Sequence, residues 1–143
     1  MKKVLILSAS PRKNGNSDCL CQQFKKGAEE AGHSVEQIQA ADVLVVATPT
    51  YFMTMNGMLK TTIDRFLPKW QDLGGHDVYL IVTGHDAKEG LSLVGEELTR
   101  VFSELGNTVK EIIWGERVWQ KGEVLSTKAM AEAYRAGCLG MDV

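Results

Sequence analysis

Apolar residues along this chain come in short continuous runs that alternate with stretches of helical periodicity. The first run, Lys3-Val4-Leu5-Ile6-Leu7, is almost entirely apolar, as expected of a strand covered on both faces. Cys21, Phe24, Ala28 and Ala31 then recur at helical spacing up to Gly32, a natural C-terminal stop. Val43-Leu44-Val45-Val46-Ala47 reads as a second buried strand, ended by Thr48-Pro49. Met55, Leu59, Ile63 and Phe66 mark an amphipathic helix closed off by Pro68. Val78-Tyr79-Leu80-Ile81-Val82 is the next strand, ending at Thr83-Gly84. Leu91, Val94, Leu98, Val101 and Leu105 stripe the following helix, which Gly106 terminates. Val109 to Trp114 is a further strand, and Thr127 to Leu139 the last helix, with Ser126 as its N-cap.

This alternation predicts an α/β fold, a parallel sheet wrapped on both faces with right-handed crossovers. One joint does not fit. Ser34–Ile38 reads as a strand, yet Val43 begins the next one almost at once. Roughly three or four residues remain where a parallel crossover takes ten or more. Either Ser34–Ile38 is not a neighbouring parallel strand, or a crossover helix is missing.

Composition narrows the class. The 143 residues suit one domain spanning the whole chain, residues 1–143. A net charge of −2 gives no electrostatic reason to expect nucleic acid or an anionic membrane as partner. The longest clean apolar run is about six residues, far short of a membrane span. The apolar segment after Met1-Lys2-Lys3 ends at Ser8, too soon for a secretory leader, so a cytoplasmic location is expected. Cys19, Cys21 and Cys138 make neither a disulfide framework nor a zinc site and are expected as buried or half-buried thiols; no metal site is expected.

Ligands of open α/β sheets sit beyond the carboxyl ends of the strands, which selects three loops: Ser8–Ser17, Thr48–Asn56 and Thr83–Gly90. The first leads into a helix N-terminus, where unpaired N–H groups and the macrodipole favour an anion. Ser10, Asn16 and Ser17 add donors, Arg12 adds charge, and Gly15 lets the backbone turn close to a ligand. The plainer alternative is a solvated loop with Asn16 or Ser17 as N-cap. There is no Walker lysine motif, no G-x-G-x-x-G, no cysteine in the loop and no acidic cluster after the first strand. A phosphate held here would therefore be anchored rather than reacted upon.

The second loop, with Pro49, Thr50, Tyr51, Phe52 and Met53, mixes aromatics, methionines and amides, a surface suited to covering a flat heteroaromatic ring. Packing in the core or at a subunit interface is the alternative for Tyr51, Phe52 and Met53. The third, Thr83-Gly84-His85-Asp86, puts a glycine where a ring could approach closely, and His85 is either a hydrogen-bond donor to it or an ordinary surface group.

The stretches "ILSASPRKNGNS", "GAEEAGHSVE", "ADVLVVATPTYFMTMNGMLKTTIDRF" and "TGH" together resemble the NAD(P)H-dependent FMN reductase branch of the flavodoxin-like superfamily, in particular proteins related to iron–sulfur flavoproteins. The resemblance implies a three-layer α/β/α sandwich with strand order 2-1-3-4-5. It implies FMN as cofactor, with its phosphate in the first loop among Ser8, Ser10, Arg12, Asn14, Asn16 and Ser17. The isoalloxazine would lie against Pro49, Thr50, Tyr51, Phe52 and Met53, with Thr83, Gly84 and His85 on its far edge. NAD(P)H would be co-substrate, electrons would pass to a small acceptor (quinone, nitro compound, flavin or metal ion), and the chain would form a homodimer or homotetramer. No side chain is expected as a catalytic nucleophile, since the flavin carries the chemistry. Relatives carry a crossover helix, and some a cysteine cluster, between "GHSVE" and "ADVLVV". Here only "QIQA" intervenes, which implies a second crossover helix truncated or missing, by about thirty residues on the dozen-residue minimum for a crossover. The rival readings are a flavodoxin-type electron carrier and a flavin-free binding module.

Overall fold

The structure, a computed structural model, describes residues 1–35 and 41–139. Its first strand, β1 (Lys3–Ser8), lies inside a parallel sheet with β2 (Ser34–Val35) on one side and β3 (Val43–Tyr51) on the other. A two-residue strand, β4 (Thr54–Met55), turns back antiparallel onto the end of β3. β5 (Asp77–Thr83) and β6 (Thr108–Gly115) complete the order β2-β1-β3-β5-β6. That is the doubly wound order 2-1-3-4-5 implied by the resemblance.

Side-chain alternation divides β3 between two cores. Val43, Val45 and Ala47 join one apolar cluster while Leu44 and Val46 join the other. The first face is covered by α1 (Asn16–Glu30) and α4 (Lys128–Leu139), with Phe24 packed against Tyr79 at 5.3 Å between ring centres. The second is covered by α2 (Gly57–Asp64) and α3 (Lys88–Glu104), through Leu59, Leu91, Leu98 and Phe102. α1 and α4 touch backbone to backbone. A Cβ on Gly27 would stand 2.4 Å from the Tyr134 carbonyl oxygen, and one on Gly137 2.3 Å from that of Phe24.

Several expectations shift. β3 does not end at Thr48-Pro49 but continues in register with β5 to Pro49 and on to Tyr51. Pairing with β1 stops at Ala47, so beyond it β3 is an edge on that side, where a proline is tolerated. The second loop is thus a hairpin. Pro68 does not follow the helix as a bare stop but opens a 3₁₀ turn, Leu67–Asp72. Ser126 does not cap the last helix; it ends another 3₁₀ turn, Glu123–Ser126, and donates to the Glu123 carbonyl.

β2 and β3 are parallel but flank β1 rather than pairing with each other. Seven residues separate Val35 from Val43, below the dozen that a helical crossover takes. The other crossovers in the sheet all contain a helix. The expected truncation at Glu36–Ala41 falls, for residues 36–40, outside the described residues. Cys21 is buried, Cys19 and Cys138 are half-buried, and all three are free thiols, as expected.

Candidate functional site

The three loops converge at the carboxyl end of the sheet around a cavity of about 360 Å³, inside the range typical of small-molecule sites. Ser10, Arg12, Asn16 and Ser17 reach it from the first loop. The β3–β4 hairpin brings Pro49, Thr50, Tyr51, Phe52 and Met53, and the third loop brings Thr83, Gly84 and His85. Hydrogen bonds between the loops hold the rim. The buried Asn56 amide donates to the Ala9 carbonyl while its oxygen caps α2 at the Leu59 N–H, 3.0 Å, joining the second loop to the first. Ser17 and Thr83 share a buried hydroxyl contact of 2.8 Å, joining the first to the third.

Ser8 and Asn14, implied as cofactor ligands, do not line the cavity. The Ser8 hydroxyl donates to Asp18, and the Asn14 N–H donates to the same carboxylate at 2.9 Å. Asn14 needs that support because its φ is +56°, in the left-handed region. Asp18 therefore shapes the loop from the first turn of α1, a role its place in the sequence does not announce. Nor are Asn16 and Ser17 free donors. Asn16 accepts from the Gly122 and Val124 N–H groups, at 3.0 and 3.3 Å, and donates to the Gln120 carbonyl at 3.1 Å. The N-cap of α1 is instead Gly15, whose backbone is extended and which has no side-chain cap. The first N–H groups of this 15-residue helix thus face the cavity end without a capping side chain. A Cβ on Gly15 would meet the Ser10 hydroxyl at 2.6 Å and the Arg12 carbonyl oxygen at 3.0 Å, so a side chain at the helix entrance would displace Ser10. Gly84 lines the cavity, and a Cβ there would also meet a Leu91 methyl at 2.6 Å, so the packing of α3 makes its own demand for a small residue.

A fourth wall was not foreseen. Beyond β6 the chain runs back across the cavity as residues 116–124, bringing Val118, Trp119 and Lys121 to its lining. Arg117 N–H donates to Asp86 and Val118 N–H to Gly84, pinning this strap to the third loop at 3.0 and 2.9 Å. Asn16 pins it to the first, and Arg12 reaches the Trp119 carbonyl at 3.4 Å. Glu123 accepts from the Trp119 and Gln120 N–H groups, which hold its carboxyl below the usual range. No local pattern marks such a segment, because its partners lie far along the chain, those in the first loop more than a hundred residues away.

The hairpin turn itself is strained. Phe52 and Met53 form its two central residues with φ of +49° and +66°, a geometry normally filled by Asn-Gly. Phe52 is fully exposed and Met53 is 61% exposed. Backbone strain of this kind concentrates at functional sites. The Thr50 hydroxyl, buried beside them on the cavity lining, has no hydrogen-bond partner among the described residues. An orphaned buried donor beside a cavity fits a polar ligand edge.

A parallel sheet with a cavity beyond its β1/β3 switch point has the layout of doubly wound α/β folds, whose ligands bind at that crevice. The sequence profile described as NADPH-dependent FMN reductase matches residues 33–114, more than half of the chain, and the chain belongs to that family. It is accordingly an NAD(P)H-dependent FMN oxidoreductase. The matched stretch begins after α1, so the first loop lies outside it.

The chain is 24% identical over 154 positions to YwqN of Bacillus subtilis (strain 168), provisionally named an NAD(P)H-dependent FMN-containing oxidoreductase, covering 80% of this chain and 84% of that protein. Since 80% of 143 residues is about 114, about 40 of the 154 positions have no counterpart here. A solved Bacillus subtilis structure described as Trp repressor binding protein superposes with a TM-score of 0.76 at 25% identity, covering 96% of each chain. An azoreductase from Bacillus anthracis str. Sterne superposes with a TM-score of 0.77 at 16% identity, covering 96% of this chain and 99% of the other, and shares the fold.

FMN fits the residues present. Uncapped helix N–H groups and Arg12 suit a phosphate, and the unpartnered Thr50 hydroxyl suits a heteroatom edge.

Proposed function

We propose that the cavity holds FMN and that the chain passes electrons from NAD(P)H to a small organic acceptor. The phosphate would sit at the N-terminus of α1 against Ser10, Arg12 and the Asn16–Ser17 backbone, with Lys121 as a second cation. The ring would lie against Pro49–Met53, with Thr50 donating to its polar edge and Thr83–His85 closing the far side. Bound FMN supplies hydride acceptance and onward electron transfer. The protein's own part is to hold the phosphate, exclude water and present backbone N–H groups toward charge on the reduced ring. One observation carries the reading: three loops from distant parts of the sequence are hydrogen-bonded into one cavity beside an uncapped helix N-terminus.

The whole of residues 1–143 is taken as one domain acting in the cytoplasm as a homodimer. Support for the dimer is a second, open groove of about 1520 Å³ between α2 and α3, where Leu67, Trp70 and Leu93 stand exposed. Met53 borders both groove and cavity, so a partner seated there would adjoin the flavin. Sedimentation analysis tests it; a monomer at micromolar concentration removes this part of the reading.

Titration of the apoprotein with FMN and with riboflavin tests the cavity. FMN binds and Arg12→Ala weakens it about tenfold, the cost of one charge-assisted contact, while riboflavin affinity is unchanged. Equal losses for both ligands would move the phosphate elsewhere. Anaerobic NADH or NADPH then bleaches the bound flavin; a flavin that stays oxidised would leave an electron carrier rather than a reductase.

A further inference from the structure

Trp119 is 61% exposed and belongs to neither apolar cluster, so the fold does not need its indole. Its backbone is nonetheless tightly held, by Glu123 at the N–H (2.6 Å) and by Arg12 at the carbonyl (3.4 Å). The next residue, Gln120, is tied to Asn16 and to the same Glu123 carboxylate. On its other side Val118 is buried and bonded to Gly84. The ring is therefore exposed but not loose.

Its only described ring partner is His85, 5.8 Å away and edge-on at 78°. A single T-shaped neighbour cannot enclose an indole, and with Trp119 61% exposed most of the side chain stays open to a ligand. Across the same cavity stands the strained turn with Phe52 and Met53 exposed. Single exposed apolar residues need no explanation, but three large ones around one cavity, two of them in a costly backbone conformation, do.

We propose that Trp119 is a specificity-determining residue, the platform on which a planar aromatic second substrate stacks at the mouth of the cavity. Asn16 is its positioning residue. This rests on the flavin reading of the cavity. Asn16 belongs at once to the first turn of α1, where the cofactor phosphate is placed, and to the hydrogen bonds that fix residues 120–124. Cofactor loading and platform position are thereby joined through one side chain. Stacking favours flat, weakly charged molecules such as quinones over compact anions. The charged groups nearest Trp119, Arg12 at its carbonyl and Glu123 at its N–H, are opposite in sign and bonded to its backbone.

The test uses FMN-loaded wild type, Trp119→Ala, Trp119→Phe and Asn16→Ala, with FMN affinity measured first for each. 1,4-Naphthoquinone is then titrated calorimetrically into the oxidised protein without nicotinamide. Trp119→Ala raises its Kd about tenfold, and Trp119→Phe restores affinity to within about threefold of wild type. With NADH present, the ratio of kcat/KM for naphthoquinone to that for ferricyanide, an octahedral anion that does not stack, falls about tenfold in Trp119→Ala. Asn16→Ala, at saturating FMN, lowers the same ratio, which a purely structural role would leave unmoved. An unchanged quinone Kd and ratio in Trp119→Ala, with FMN still bound, overturns the platform while the cavity reading stands. Wild type that binds no FMN overturns both.

Discussion

The two faces of the sheet are built to different standards of closure. On one, α1 and α4 meet through Gly27 and Gly137 with no room for a methyl group, and α1 buries Leu20, Cys21, Phe24 and Ala28. On the other, α2 buries only Leu59, and a wide groove separates it from α3. Leu5 and Leu7 of β1, on this second face, are only half-buried although β1 lies inside the sheet. The closed face carries the helix whose N-terminus opens on the cavity; the open face carries the exposed apolar surface. Rigidity is thus concentrated behind the helix N-terminus that opens on the cavity, and exposure on the face that carries the groove.

The sharpest way to break this comparison is one substitution made on both faces. Gly137→Ala puts a Cβ against the Phe24 carbonyl, backbone that cannot swing aside, so α4 must lift off α1. Overpacking of this kind costs about 3 kcal/mol in urea denaturation. Gly95→Ala on α3 directs its Cβ 2.5 Å from the Trp114 ring, a side chain bordering the open groove. The ring can move into that groove, and alanine recovers up to about 1 kcal/mol of helix propensity, so the net cost stays within about 1 kcal/mol. Equal costs at the two sites would show that the faces are equally tight.

Alkaline pH probes the closed face alone. Burial raises the Cys21 thiol from 9.0 to about 12. An acid whose folded pKa lies above its unfolded value binds more protons when folded, so stability is full below pH 9 and falls as pH rises toward 12. From Cys21 the loss reaches about 2 kcal/mol near pH 10.5, at roughly 1.4 kcal/mol per pH step. Tyr79 is raised by burial and Tyr134 by its hydrogen bond to Glu30, so both steepen the fall in the same direction. Cys21→Ala flattens the curve between pH 9 and 10.5 in thermal melts; an unchanged slope would mean that the thiol is hydrated.

Much of this architecture is written in local pattern. β1, β3, β5 and β6 are apolar runs, and α3 is a stripe that the structure buries at Leu91, Val94 and Leu98. What local pattern omits depends on distance. Gly27 and Gly137 look like weak points in two helices until the helices are placed together. Asn16 reads as a phosphate donor because its partners, Gln120 and Gly122, are far along the chain. The strap of residues 116–124 has no periodicity to reveal it. Pro49 appears to end a strand because edge exposure beyond Ala47 is a property of β1, not of β3. For the same reason a joint alanine variant of Ser10, Asn16 and Ser17 would disturb the strap and the Ser17–Thr83 contact along with any phosphate.

The smallest expected effect concerns the turn on the open side of the cavity. Replacing Phe52 and Met53 with Asn-Gly supplies the residues that two successive positive φ values favour. Relief of the left-handed strain raises stability by about 1 kcal/mol, a gain of several degrees in Tm for a chain of this size. The same variant removes two exposed apolar side chains from the cavity rim. If the strain is kept for ligand contact, the melting temperature rises while affinity for FMN or for a planar acceptor falls. A variant more stable and equally avid for both would show that Phe52 and Met53 serve some other surface. The open groove, which Met53 also borders, would then be the next place to look, by repeating the sedimentation experiment on that variant.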